Sequence, residues 1–179
     1  VVCRRQRQMC IRDRFIGGDC LDAESVTLAG KIATKTGCRL ATDTFVIRHR
    51  RGAGLTKVEP IPYFAEMAEE HLRGVESIVF VGTKPPVSFF AYPGKKSYLS
   101  PENAELIELA TPYQDGKSAL SQLSEMLKTD KIDKSLIPDG IIDAPSNGEL
   151  NASNLGPLFA SLLPEDAVVC DEAATSGFF

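Results

Sequence analysis

Apolar positions along the chain fall into two alternating rhythms. Val26, Ala29, Ile32 and Ala33 recur at helical spacing. Asp22 stands where an N-cap belongs, with Leu21 and Val26 spaced as a hydrophobic staple, and Gly37 stops the helix. Phe15-Ile16 before it reads as the stub of a strand. Cys38 to Thr42 reads as a short strand. Ser77 to Gly82 is the clearest strand, apolar on both faces as in a parallel sheet. Between them, Pro62 suits a helix's first turn, and Phe64, Met67, Ala68 and Leu72 form a buried face closed by Gly74.

Thr83-Lys84-Pro85-Pro86 is a turn, and Val87 to Tyr92 is a further short strand closed by Pro93-Gly94. Leu106 to Ala110 reads as a strand. Asp115 caps a helix carrying Ala119, Leu120, Leu123 and Leu127. Residues 43–60 lack a period and read as a long loop. Strands alternate with helices, so the expected class is α/β: a Rossmann-like, mostly parallel sheet with helices on both faces. Residues 129–149 carry Pro138, Gly140, Pro145 and Gly148 without a period, an interdomain linker. After it, Leu155, Leu158, Phe159, Leu162 and Leu163 mark a helix, and Ala167 to Cys170 a strand. One helix and one strand bury no core, so residues 150–179 are expected to be a truncated second α/β domain.

Composition is that of an ordinary globular domain, 43% hydrophobic and 25% charged. No apolar run is long enough to span a bilayer, and no apolar segment follows the basic N-terminus as a secretory signal requires. Residues 1–14 hold five arginines against one aspartate, so residues 15–179 carry −8 of a total of −4. An acidic remainder argues against nucleic-acid and anionic-membrane partners. Of five cysteines, Cys3 and Cys10 lie in residues 1–14. Cys20, Cys38 and Cys170 show no metal-ligand spacing and are expected to be buried free thiols of a cytoplasmic protein.

Candidate chemistry is sparse. Gly17-Gly18 sits where α/β folds admit phosphates, but no full glycine fingerprint follows, and a tight turn explains it as well. Arg48, Arg50 and Arg51 suit either an anion or solvent. His49 and His71 stand without a nucleophile or metal partner in sequence, and His71 is expected to be exposed. The loop Asp171 to Gly177, just past a strand, is the best site candidate, since small and hydroxyl residues there let backbone approach a ligand.

Two resemblances add to this. Arg4 to Arg14 resembles the translation of a transposon-type sequencing-library adapter, which sets residues 1–14 aside as a non-native scar. The second rests on Gly17-Gly18, Ala33 to Gly37, Arg50 to Gly54, Ile61 to Phe64, Phe89 to Lys95 and Leu163 to Glu172. Together these resemble thiamine-diphosphate-dependent enzymes of the acetolactate synthase large-subunit type. The resemblance implies a central domain at 15–128 and the start of a pyrophosphate-binding domain at 150–179. It implies thiamine diphosphate and Mg2+ as cofactors of a larger parent, with FAD left open. It further implies a small 2-oxo acid substrate, branched-chain amino acid biosynthesis and a homodimer or homotetramer. Ala174, Thr175 and Ser176 align with cofactor-diphosphate contacts. The catalytic glutamate and the metal-binding motif of the family fall outside this chain, so the chain alone is expected to be inactive. The family's Gly-Gln-His-Gln segment is absent at this loop, which keeps a benzoylformate-type decarboxylase open. A non-catalytic nucleotide-binding or assembly module is the alternative of another class.

Overall fold

The computed structural model describes residues 11–91, 93–140 and 148–172. The chain divides into two units, Val1–Pro138 and Asp139–Phe179. Five strands form the first unit's sheet: β1 (Ile11–Ile16), β2 (Arg39–Thr42), β3 (Glu59–Pro60), β4 (Val75–Val81) and β5 (Glu105–Ala110). Their spatial order is β3-β2-β1-β4-β5, and every pair is parallel. The mostly parallel, Rossmann-like sheet expected from the sequence is thus present.

β1 begins at Ile11, inside the segment that the sequence reading set aside, and its backbone pairs with β2 and β4 on either side. Main-chain donors and acceptors serve the ladder whatever the side chain is. Pro60 lies in the short edge strand β3, one of the few sheet positions that tolerate a missing N–H.

Helices α1 (Ala23–Thr36), α2 (Ala65–His71) and α3 (Gly116–Met126) cover the sheet. On one face Val26, Ala29 and Ile32 of α1 and Leu120 of α3 pack with Ile16, Leu40 and Val81. On the other, Ala65, Ala68 and Leu72 pack with Ala41, Ile78 and Phe80. Neighbours in a strand alternate sides, so β4 feeds both cores: Val81 enters one, Ile78 and Phe80 the other. Asp22 accepts from Ser25 N at 2.9 Å, and Asp115 from Ser118 N at 2.8 Å. Gly37 closes α1 at φ 70°, its N–H donating to Ala33 O at 2.7 Å. Gly30 lets the 43–58 loop press onto α1, because a Cβ there would collide with Thr56.

Several expectations give way. α2 starts at Ala65, so Pro62 precedes the helix and Phe64 is its N-cap. Phe64 and Met67 are exposed, while Ala68 and Leu72 are buried as expected. Val87 to Ala91 forms no strand. Only a bridge pairs Val87 with Tyr98, and the neck is closed by Ser88 N to Ser97 O and Leu99 N to Pro86 O. The first unit also runs past residue 128. Leu136 packs on the core, Lys57 N donates to Leu136 O, and Asp133 N donates to Thr34 Oγ1.

In the second unit, α4 (Ala152–Leu162) begins with a reciprocal cap between Asn151 and Asn154. None of its residues is buried. Ala167 to Cys170 is irregular and exposed, not a strand. An apolar run becomes a strand only beside one that accepts its hydrogen bonds. Cys170 is therefore exposed, whereas Cys20 and Cys38 are buried free thiols.

Candidate functional site

In open parallel sheets, ligands enter beyond the carboxyl ends of the strands where the strand order reverses. Here that point lies between β1 and β4, since one leads to β2 on its side and the other to β5 on the opposite side. Gly17 and Gly18 leave β1, while Gly82 and Thr83 leave β4. Gly17 N donates to Val81 O at 3.0 Å, and Gly82 N to Ala110 O at 2.9 Å.

The glycines serve close packing between these ends. A Cβ on Gly82, at φ +68°, would stand 2.7 Å from Gly17 O and 3.0 Å from Cys20 Sγ. A Cβ on Gly17 would stand 2.7 Å from Thr83 Cβ, and one on Gly116 would collide with Cys20 Sγ. Gly17-Gly18 is thus a tight turn pressed against protein atoms, followed by a short 3-10 turn over Gly18–Leu21.

The electrostatics at this edge are acidic. Thr83 Oγ1 donates to Asp43 Oδ2 at 2.6 Å. Burial pushes the Asp43 carboxyl above its ordinary value, and the Thr83 hydroxyl partly offsets this. Burial, followed by Asp22, Asp19 and Asp115, pushes the Cys20 thiol up to about 11, which keeps it protonated and unreactive. Four carboxyl groups around the crevice oppose a phosphate. Among the described residues, no group of three His, Cys, Asp or Glu side chains could hold a metal ion.

The other residues singled out from sequence are scattered. Arg48, Arg50 and Arg51 are exposed on the loop after β2, which Arg50 N ties to Leu21 O at 2.9 Å. His49 is half-buried with its Nε2 enclosed. Burial lowers its pKa, and the Arg51 charge lowers it further. His71 is half-buried rather than exposed, and its carbonyl accepts from Arg39 Nη2 at 3.1 Å. Asp171 and Glu172 are exposed in irregular chain. Ala174, Thr175 and Ser176 lie outside the described residues.

Sequence reading missed an aromatic cluster near this edge. Phe45 follows β2, Tyr63 and Phe64 follow β3, and Phe89 and Phe90 follow β4. Phe45 meets Tyr63 and Phe89 at centroid distances of 5.7 and 5.4 Å, and Phe89 meets Phe90 at 4.8 Å, all edge-to-face. All four phenylalanines are exposed. The signal available in sequence was the recurrence of aromatics just past successive strands, which periodicity alone assigns to buried faces.

Comparison with known proteins gives a curated relative and solved structures, two of which follow. The chain is 37% identical over 165 residues to the Mycobacterium tuberculosis protein IlvX, described provisionally as an acetolactate synthase large subunit. That match covers 91% of this chain and 31% of IlvX, so the chain spans about a third of its relative's length. A Rhodococcus jostii thiamine diphosphate-dependent 4-hydroxybenzoylformate decarboxylase shares the fold with a TM-score of 0.58 and 19% identity, over 88% of this chain and 32% of that one. A Mycobacterium smegmatis protein described provisionally as a thiamin diphosphate-dependent enzyme gives a TM-score of 0.52 and 19% identity, over 72% of this chain and 27% of that one. No protein-family model matches the chain.

Proposed function

We propose, from its similarity to acetolactate synthase-like thiamine-diphosphate-dependent enzymes, that this chain is the central domain and the first part of the pyrophosphate-binding domain of such an enzyme. The carrying observation is 37% identity sustained over 91% of the chain. The parallel sheet in the order β3-β2-β1-β4-β5 agrees with it. The parent would decarboxylate a small 2-oxo acid such as pyruvate and transfer the two-carbon unit to a second 2-oxo acid, as a cytoplasmic homodimer or homotetramer.

The described residues do not fit the cofactor. Carboxyl groups stand around the crevice, and among the described residues no metal-ligand cluster is present. The same acidity speaks against FAD phosphates between β1 and β4. The contribution assigned to this chain is therefore architectural, with Ala174, Thr175 and Ser176 proposed as contacts to the diphosphate of thiamine diphosphate and Mg2+ held by residues elsewhere in the parent.

A second reading, decarboxylation of an aryl 2-oxo acid, is favoured by the small and hydroxyl residues Ala174, Thr175 and Ser176 where the Gly-Gln-His-Gln segment would stand. Product analysis of the complete parent separates the two. Acetolactate from pyruvate supports the synthase, and an aldehyde from an aryl 2-oxo acid supports the decarboxylase. The 179-residue chain itself should show no turnover with thiamine diphosphate and magnesium, and turnover by it would overturn the assignment.

A further inference from the structure

The two edges of the sheet are guarded differently. β3 ends one edge with two residues, Glu59 and Pro60. Pro60 has no N–H to offer, and Glu59 is held 2.8 Å from Lys57 Nζ, so this edge is blunted. Among the described residues β5 ends the other edge, with six residues, Glu105–Ala110, and no proline. Alternate residues of a strand turn their N–H and C=O groups to opposite sides. The side of β5 away from β4 therefore carries a row of main-chain donors and acceptors that no strand of the described residues meets. Leu106 and Ile107 are 48% and 39% exposed along it.

The side chains beside this edge carry a pattern of their own. Ile107 is in register with Val79, which places it on the face of α1 and α3. Leu106 and Glu108 are in register with Ile78 and Phe80, on the face of α2. On the α3 face Leu109 joins Ala119, Leu123 and Met126 around a cavity of about 390 Å³ between β5 and α3, with Asp115 also in its lining. Glu105 and Glu108 are exposed, and among the described residues neither is ion-paired. The edge thus offers hydrogen bonds, an aliphatic strip and negative charge. A second copy of β5 fits it poorly. Antiparallel pairing about a twofold at Glu108 sets that carboxylate opposite itself, and pairing about Leu106 or Ile107 sets one glutamate diagonally against its own copy. The chain's net charge of −4 adds to that repulsion.

We propose that the outer edge of β5 binds an extended segment of a partner protein in which aliphatic side chains alternate with Lys or Arg, added to the sheet as a further strand. Main-chain hydrogen bonds to β5 hold the segment, as in other cases of strand addition. Its aliphatic side chains lie on the α3 face beside Ile107, Leu109 and the groove. Its cations lie on the opposite face, within reach of Glu108, and Glu105 adds negative potential at one end. The surface stands on this chain's own residues and does not depend on the thiamine assignment.

The test is fluorescence anisotropy of rhodamine-labelled peptides titrated with the 179-residue chain. The peptide Lys-Val-Lys-Val-Lys-Val should saturate with a dissociation constant on the order of 100 μM. Glu-Val-Glu-Val-Glu-Val, with the charges reversed, should bind roughly tenfold more weakly. Lys-Val-Lys-Pro-Lys-Val, which keeps the charge and loses a central N–H, should weaken by roughly tenfold as well. Raising salt from about 50 mM to about 500 mM should weaken the lysine peptide several-fold. Glu108→Gln, at an exposed position, should weaken the lysine peptide roughly threefold and leave the circular dichroism spectrum unchanged. Glu105→Lys together with Glu108→Lys should reverse the preference between the lysine and glutamate peptides. Equal affinity for those two peptides, full retention of binding with the proline peptide, or absence of saturation would each overturn the proposal. So would a dimer in sedimentation that the lysine peptide dissolves, since it would put a second copy on this edge.

Discussion

Val75–Val81 and Ala167–Cys170 are both short, valine-bearing runs that suggest strands, yet only the first is one. β4 is flanked by β1 and β5, and its side chains feed two cores. The second run has no strand beside it among the described residues, and Val168 and Val169 are 87% and 63% exposed. The difference teaches that residue type proposes a strand and the neighbouring ladder makes it one.

Mutations should break this comparison unevenly. Ile78→Ala, at a fully buried position in β4, should cost about 2–5 kcal/mol in urea unfolding. Val168→Ala should stay within about 0.5 kcal/mol in the same assay. A comparable cost at both positions would show that the second run is packed after all.

Gly82→Ala should come next, costing roughly 1–3 kcal/mol, because it combines a left-handed backbone with a Cβ pressed on Gly17 O. The equivalent change at Gly156 of α4, where a Cβ meets open space, should leave unfolding of the first unit unaltered. Equal losses would mean that the crevice is looser than its glycines indicate.

Asp22→Ala and Asp115→Ala each remove an N-cap of the first unit and should cost about 1 kcal/mol apiece. Asn151→Ala removes a cap from a helix that buries nothing, so it should melt α4 locally without moving the main transition. Helicity by circular dichroism against global unfolding would show which helices are cooperative with the sheet.

The smallest effect concerns pH. The folded pKa of Asp43 is raised above 3.8, so the folded state holds its proton more tightly than the unfolded state. No ionisation penalty is present below pH 3.8. It grows as pH rises through the raised folded value and is complete above it. Asp43→Asn should therefore gain stability relative to the parent sequence between pH 4 and pH 7, on the order of 1 kcal/mol or less for a half-buried group. A difference independent of pH would remove Asp43 as the cause.

The fold was legible wherever a local rule decided it. Asp22, Gly37 and Asp115 cap helices by contacts within four residues, and their roles follow from chain order alone. Ala68 and Leu72 were legible as a buried face, but Phe64 and Met67 were not, because α2 starts at Ala65 and turns Met67 outward. β1's opening residues were set aside with the adapter-like segment, while the ladder needs only main chain. The crevice glycines left a phosphate turn open beside a plain tight turn, because sequence cannot show that Thr83 and Cys20 fill the space before them. The aromatic cluster was least legible of all. Phe45, Tyr63 and Phe89 are separated widely in sequence and meet only because three strand ends share one edge.

The closed neck of the 86–99 loop gives the molecule a modular tip. Its two ends are fastened by Ser88 N to Ser97 O and Leu99 N to Pro86 O, so its span is set at the neck. Loop-closure entropy grows only slowly with length. A cassette of different size or chemistry grafted between residues 88 and 97 would inherit a rigid stem, leaving the chemistry presented there to be rewritten while the parallel sheet beneath is preserved.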